Sequence, residues 1–153
     1  MKKRYVGERL DTGCVVVVYD QADEKKWYFL PPRNDIRNHS PDGFEWGYGG
    51  SGPAQLSLAL LCDCFESVIL GEALYQRFKW VWTAHQNGDT WELIDEELWK
   101  IVEDMQTYDD TRRVQRNPNS RTGQVPPAQD RPPPGNGGES DRGDTTRETS
   151  PTS

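Results

Sequence analysis

The chain has 153 residues, 33% of them hydrophobic, and a net charge of −7 that falls on one part of it: residues 1–108 hold 11 Lys and Arg against 18 Asp and Glu, residues 109–153 hold 7 of each. An acidic folded part is repelled by phosphate backbones at long range, so general nucleic-acid binding is not expected. No apolar run nears the roughly 18 residues that span a bilayer, residues 1–20 lack the apolar core of a secretory signal, and Cys14, Cys62 and Cys64 are too few for a disulfide framework, which fits a reducing, cytoplasmic setting without a membrane partner.

Every Trp, Tyr and Phe lies at or before Tyr108, whereas residues 109–153 offer only Val114, Val125 and Ala128 as apolar side chains. The expected organisation is therefore one globular domain over 1–108 and a disordered tail over 109–153, rich in Pro, Gly, Arg and Asp. In chain order, "RYVGERL" and "CVVVVYD" flank Asp11-Thr12-Gly13 and predict a hairpin, with Val15 to Val18 suited to a strand buried on both faces. "QADEKK" reads as a polar turn and "KWYFL" as a third strand stopped by Pro31-Pro32. After the loop "RNDIRNHSPDG", whose Pro41-Asp42-Gly43 is a turn signal, four glycines fall between Gly47 and Gly52. Pro53 then reads as the first residue of a helix capped by Gly52 or Ser51, running through "AQLSLALLCDCFESVI" and ended by Gly71. A second helix, "EALYQRFKWVWTAH", places Leu74, Phe78, Val81 and His85 on one stripe. "TWELI" is a candidate strand, and Asp95 caps a last helix with Leu98, Val102 and Met105 inward. The fold expected is α+β, a small antiparallel sheet packed by two or three helices.

The glycines are the feature with a purpose to explain. Gly47-x-Gly49-x-x-Gly52 matches a dinucleotide fingerprint, yet a second strand ending in an acidic residue about 20 positions on is missing, and no Lys follows as in a phosphate loop. Three readings remain. The loop is a structural corner in which Gly49, Gly50 and Gly52 let the backbone pass close under Trp46 or Tyr48. Or it feeds the positive end of a helix and holds an anionic small molecule, a nucleotide among them, through Tyr48, Gly49, Gly50, Ser51, Gly52 and Gln55. Or it is a contact surface for a protein partner. His39 and Glu45 are the candidate acid/base pair of an enzyme alternative, a small hydrolase or transferase. Lys79 could present its ammonium to the same place or lie over apolar neighbours. Cys62 and Cys64 diverge by about 200° on a helix and cannot chelate one ion, so no metal and no cofactor are expected. Trp80 and Trp82 diverge likewise, leaving at most one exposed.

The stretch "RNHSPDGFEWGYGGSGPAQLSLALL", with "GERLDTGCVVVV" before it and "ALYQRFKW" after, resembles an uncharacterised family of small proteins from bacteria, archaea and their phages with a block similar to HSPTGFEWGYGGSGPAQLALALL. The match covers about residues 4–105, departing in the block mainly at Asp42 and Ser57. The resemblance implies that His39 to Gln55 defines the family and assigns no reaction. If the chain is phage-encoded, it implies host cytoplasm. The function expected is a non-enzymatic binding module, of phage or prokaryotic accessory type, that uses the glycine loop and the helix start to hold an anionic small molecule or a partner's acidic group.

Overall fold

The computed structural model describes residues 1–116; of the tail expected over 109–153, residues 117–153 lie outside the described residues, and residues 109–116 belong to a helix. Three strands come first, β1 (Lys3–Leu10), β2 (Gly13–Asp20) and β3 (Asp23–Phe29), followed by α1 (Ser51–Phe65), α2 (Val68–Val81), a short 3-10 turn (Thr83–His85), β4 (Thr90–Ile94) and α3 (Asp95–Arg116). The strands form one antiparallel sheet in the order β3-β2-β1-β4, so the fold is α+β as expected. The expected hairpin is present, with Leu10 opposite Gly13 and Tyr5 opposite Val18. β4 adds to the free edge of β1, pairing Leu93 with Tyr5 and Trp91 with Gly7.

Two strand expectations need correction. Val16 and Val18 are buried while Val15 and Val17 are only half-buried, because helices cover one face of the sheet and not the other. β3 starts at Asp23, inside the segment read as a turn, since its pairing with β2 outweighs the poor strand propensity of Glu24 and the two lysines.

α1 is the middle layer. Every residue from Gly52 to Cys62 is buried, as befits a helix that is apolar all round and has the sheet on one side and α2 on the other. It ends at Phe65, earlier than expected: Glu66 takes the left-handed conformation (φ 51°), and Ser67 caps α2, its hydroxyl accepting the Leu70 N–H at 3.3 Å. Gly71 therefore ends no helix. It lies buried within α2, where a Cβ would collide with Cys62 of α1, so it lets the two helices approach closely.

On α2 the buried stripe is Gly71, Tyr75 and Phe78; Val81 is exposed, and so is His85, which lies in the 3-10 turn past the end of the α-helix, where the four-residue arithmetic no longer holds. On α3, Leu98, Val102 and Met105 do point inward. That helix continues eight residues past Tyr108, held by a bond from Arg77 to the Met105 carbonyl and by an Arg77–Asp109 ion pair. Its first turn carries Asp95, Glu96 and Glu97 and its last turn Arg113 and Arg116, each complementing the helix dipole. Among the described residues no helix is long and apolar enough to cross a membrane.

Candidate functional site

The glycine loop is first of all a corner. Gly47 sits at φ +86°, donates its N–H to the Thr83 carbonyl at 3.1 Å, and would bring a Cβ to 2.8 Å from the Gln86 carbonyl oxygen. Beside it the Trp46 ring is buried, donates its indole N–H to the Gly88 carbonyl at 3.0 Å, and meets Trp91 edge-on at 5.7 Å. A Cβ on Gly49 would collide with the Trp80 ring, and one on Gly50 with Tyr48. The cap of α1 is Gly50, neither Gly52 nor Ser51, and Pro53 is the third helical residue. Pro53 still falls among the N–H positions that have no intrahelical partner, so its ring costs the helix no bond. No side chain caps this end, and no acidic residue lies in the first turn.

Gln55 has another task than ligand contact. Its amide is fully buried: Oε1 accepts the N–H groups of His39 (2.7 Å) and Ser40 (3.3 Å), while Nε2 donates to the carbonyls of Arg37 (2.9 Å) and Pro32. These bonds fasten the polar loop between β3 and the glycines onto α1 and use all the capacity that amide has in that direction.

Two sides of the loop differ in chemistry. On one, Glu45, Tyr48, Ser51 and Gly52 line a cleft of about 420 Å³ together with Arg9, Asp11, Cys14, Ser40 and Asp42. Glu45 is already engaged. Its carboxylate accepts from Arg9 Nη2 (2.6 Å) and Nε (3.2 Å), the Trp46 N–H (3.0 Å) and the Cys14 thiol (3.4 Å). Burial pushes its pKa up, but these donors outweigh burial and hold it below the usual carboxylate range. The Cys14 thiol is pushed up by burial and by the same carboxylate, the reverse of an activated nucleophile. Arg9 also lies 4.8 Å from the Trp46 ring centre and pairs with Asp89 at 3.0 Å.

His39 is not in the wall of that cleft and makes no hydrogen bond with Glu45, so the fold does not bring the candidate acid/base pair together. The His39 ring lies tilted against Tyr75 of α2 at 5.1 Å, and among the described residues its buried Nε2 has no hydrogen-bond partner. Desolvation first, then the charges of Arg37 and Lys79, lower its pKa, so the imidazole is neutral at pH 7. Arg37 is paired with Glu72 at 2.7 Å. Lys79 is not: it is 7% exposed, and among the described residues it has neither an ion pair nor a hydrogen bond, only the Trp80 ring 4.7 Å from its nitrogen. That ring is the one Gly49 touches, so His39, Lys79, Trp80 and the glycine loop form one neighbourhood. Trp80 is the exposed member of the tryptophan pair, and Trp82 packs against Phe78 and Trp91.

A polar cluster at the other end of α1 was not anticipated. Asp63 accepts from Tyr5 Oη (2.9 Å), Tyr28 Oη (2.8 Å) and Lys3 Nζ (3.1 Å), with Lys3 only 8% exposed. Burial and the nearby carboxylate hold both phenols protonated, and burial pushes the Cys64 thiol up to about 12. The signal in the sequence was a lone Asp continuing the Leu56, Ala59, Leu60 face. Its carboxylate oxygens accept from all three donors, so it ties α1 to the sheet. Among the described residues no group of three His, Cys, Asp or Glu is placed to hold a metal ion.

Fold and site together define a small α+β domain in which an apolar central helix begins at a glycine corner clasped by aromatic rings. The chain belongs to the Family of unknown function (DUF6166), whose model matches residues 5–104, from β1 into α3. No curated protein and no solved structure matches the chain.

Proposed function

We propose that this protein is a binding module, of the prokaryotic or phage accessory kind that its block suggests, and that it holds an anionic group of a small molecule between Lys79, His39 and the glycine loop. One observation carries the reading: His39 Nε2 is a buried imidazole nitrogen without a hydrogen-bond partner among the described residues, and it lies within the field of Lys79, whose largely buried side chain makes no ion pair among them. Buried polar atoms are normally hydrogen-bonded, and a lysine that buries its stem still carries its charge to the surface. An anion there would satisfy both. The uncapped start of α1, free of acidic residues in its first turn, adds a favourable dipole. Binding is favoured over the enzyme alternative because Glu45 is neutralised by Arg9 and stands apart from His39.

The test is thermal unfolding of the full chain in rising concentrations of phosphate, pyrophosphate and citrate, for the wild type, Lys79→Met and His39→Gln. A ligand at about 100 times its Kd adds roughly 2.7 kcal/mol, several degrees for a domain of this size. The expected result is a shift in the wild type that Lys79→Met abolishes and His39→Gln reduces, while Lys79→Met without ligand changes stability by under about 1 kcal/mol, the order of its contact with the Trp80 ring. A Lys79→Met protein that is strongly destabilised without ligand, or a wild type that no anion shifts, overturns the reading.

A further inference from the structure

We infer that the cleft on the Arg9 side of the glycine loop is a second binding site, for a free diamine or polyamine whose ammonium groups bond to Glu45, Asp42 and Ser40. It is independent of the anion reading, because neither His39 nor Lys79 lines that cleft. The Glu45 carboxylate is used at one oxygen only. Arg9, the Cys14 thiol and the Trp46 N–H all donate to Oε1, and among the described residues Oε2 accepts nothing. Glu45 is thus a carboxylate fixed through one oxygen, with the other left for a donor. Ser40 is a separate sign of a ligand. It lines the same cleft and is 8% exposed, yet its hydroxyl has no hydrogen-bond partner among the described residues, where a buried polar side chain normally has one.

Charge decides the class of ligand. Among the described residues Arg9 is the only cation in the cleft wall, and its five N–H groups are taken by Glu45, Asp89 and the carbonyls of Gly88 and Trp46, so it has none to offer an anion. Asp11 and Asp42 line the cleft as well, exposed and without an ion pair among the described residues. Three carboxylates against one guanidinium leave two negative charges over, which a diamine neutralises and a single lysine side chain of a protein partner does not. The excess of seven negative charges over residues 1–108 attracts the same cations at long range. The positive end of α1, at Ser51 and Gly52, repels ammonium groups and so favours the Asp11 and Asp42 side. The Tyr48 ring, 50% exposed in the same wall, is a further surface for an ammonium group to rest on.

Calorimetric titration of the full chain at low ionic strength with butane-1,4-diamine, its N-permethylated form, butane-1,4-diol and Nα-acetyl-lysinamide separates these statements. The permethylated form keeps both charges and has no N–H. The diamine is expected to bind at least about tenfold tighter than it, the gain typical of one charge-assisted hydrogen bond, and the diol is not expected to bind. Ser40→Ala and Asp42→Asn should each weaken the diamine several-fold without lowering the melting temperature of the unliganded protein, since neither side chain has a partner to lose. Glu103→Gln, which removes the same charge from an exposed position on α3 outside the cleft, should leave the affinity unchanged. Equal affinity for the diamine and its permethylated form, or an equal loss in Glu103→Gln and Asp42→Asn, overturns the site in favour of diffuse attraction to an acidic domain. Tighter binding of Nα-acetyl-lysinamide than of the diamine overturns the assignment to a free diamine. Absence of diamine binding, or wild-type affinity in both Ser40→Ala and Asp42→Asn, overturns the inference and leaves the anion reading standing.

Discussion

Single residues decide the corner on which the site is built. Gly47 needs both a positive φ and the absence of a side chain, so Gly47→Ala should cost about 1–3 kcal/mol in urea unfolding, the usual range for a non-glycine residue forced into that region. Gly50 is different. Its φ is −95°, so what a side chain would meet there is the Tyr48 ring and not a forbidden backbone. Glu66 is the converse case, a non-glycine residue at φ 51° at the end of α1; Glu66→Gly should stabilise by about 0.5–1 kcal/mol, by relieving the left-handed strain at some cost in unfolded-chain entropy. His39 supplies the pH dependence. Its folded-state pKa lies below the ordinary 6.5, so between those two values the unfolded chain binds more protons than the folded one, and stability falls as pH drops through about 6.5. The difference in urea midpoint between wild type and His39→Gln, followed from pH 8 to pH 5, should therefore shift against the wild type on the acid side. A flat difference would show that the imidazole is as easily protonated folded as unfolded.

At the scale of elements, α1 is fastened at both ends by polar side chains that an apolar helix would not be expected to need. Gln55 ties its start to the loop, and Asp63 ties its end to β1 and β3. Asp63→Asn leaves the buried Lys3 with only the longer contact to the exposed Glu66 at 3.8 Å and should cost about 3 kcal/mol, the penalty typical of half of a buried pair. A loss below about 1 kcal/mol in chemical denaturation would mean that solvent reaches Lys3 freely. The boundaries of α1 and α2 were the least legible part of the chain. Ser67 is a good cap residue, but the apolar run through Val68, Ile69 and Leu70 disguises it, and only the packing of Gly71 on Cys62 explains why the chain must turn there. The hairpin and the inward face of α3 were legible because each follows from local periodicity: alternation about a two-residue turn in one, steps of three and four in the other.

For the molecule as a whole, the described residues share one hydrophobic cluster that runs from Tyr5 and Val18 of the sheet through the leucines of α1 to Met105 of α3. Unfolding should therefore be cooperative, with the transitions seen by far-ultraviolet dichroism and by tryptophan emission coinciding in urea, since Trp46 and Trp82 both meet Trp91 in or against that cluster. An earlier emission transition would mean that the glycine corner and the residues after α2 open before the sheet and helices do.

The sequence by itself determined the α+β class, the hairpin, the acidic character of the domain and the place of the glycine corner, because these depend on composition and on contacts near in the chain. Only the tertiary structure decided that Gln55 is a fastening, that Glu45 belongs to Arg9, and that His39 faces α2 in the company of Lys79. Which side chains are left without partners depends on how every other polar group is satisfied. That balance is struck between segments as far apart as His39 and Lys79, and no local pattern in the chain records it.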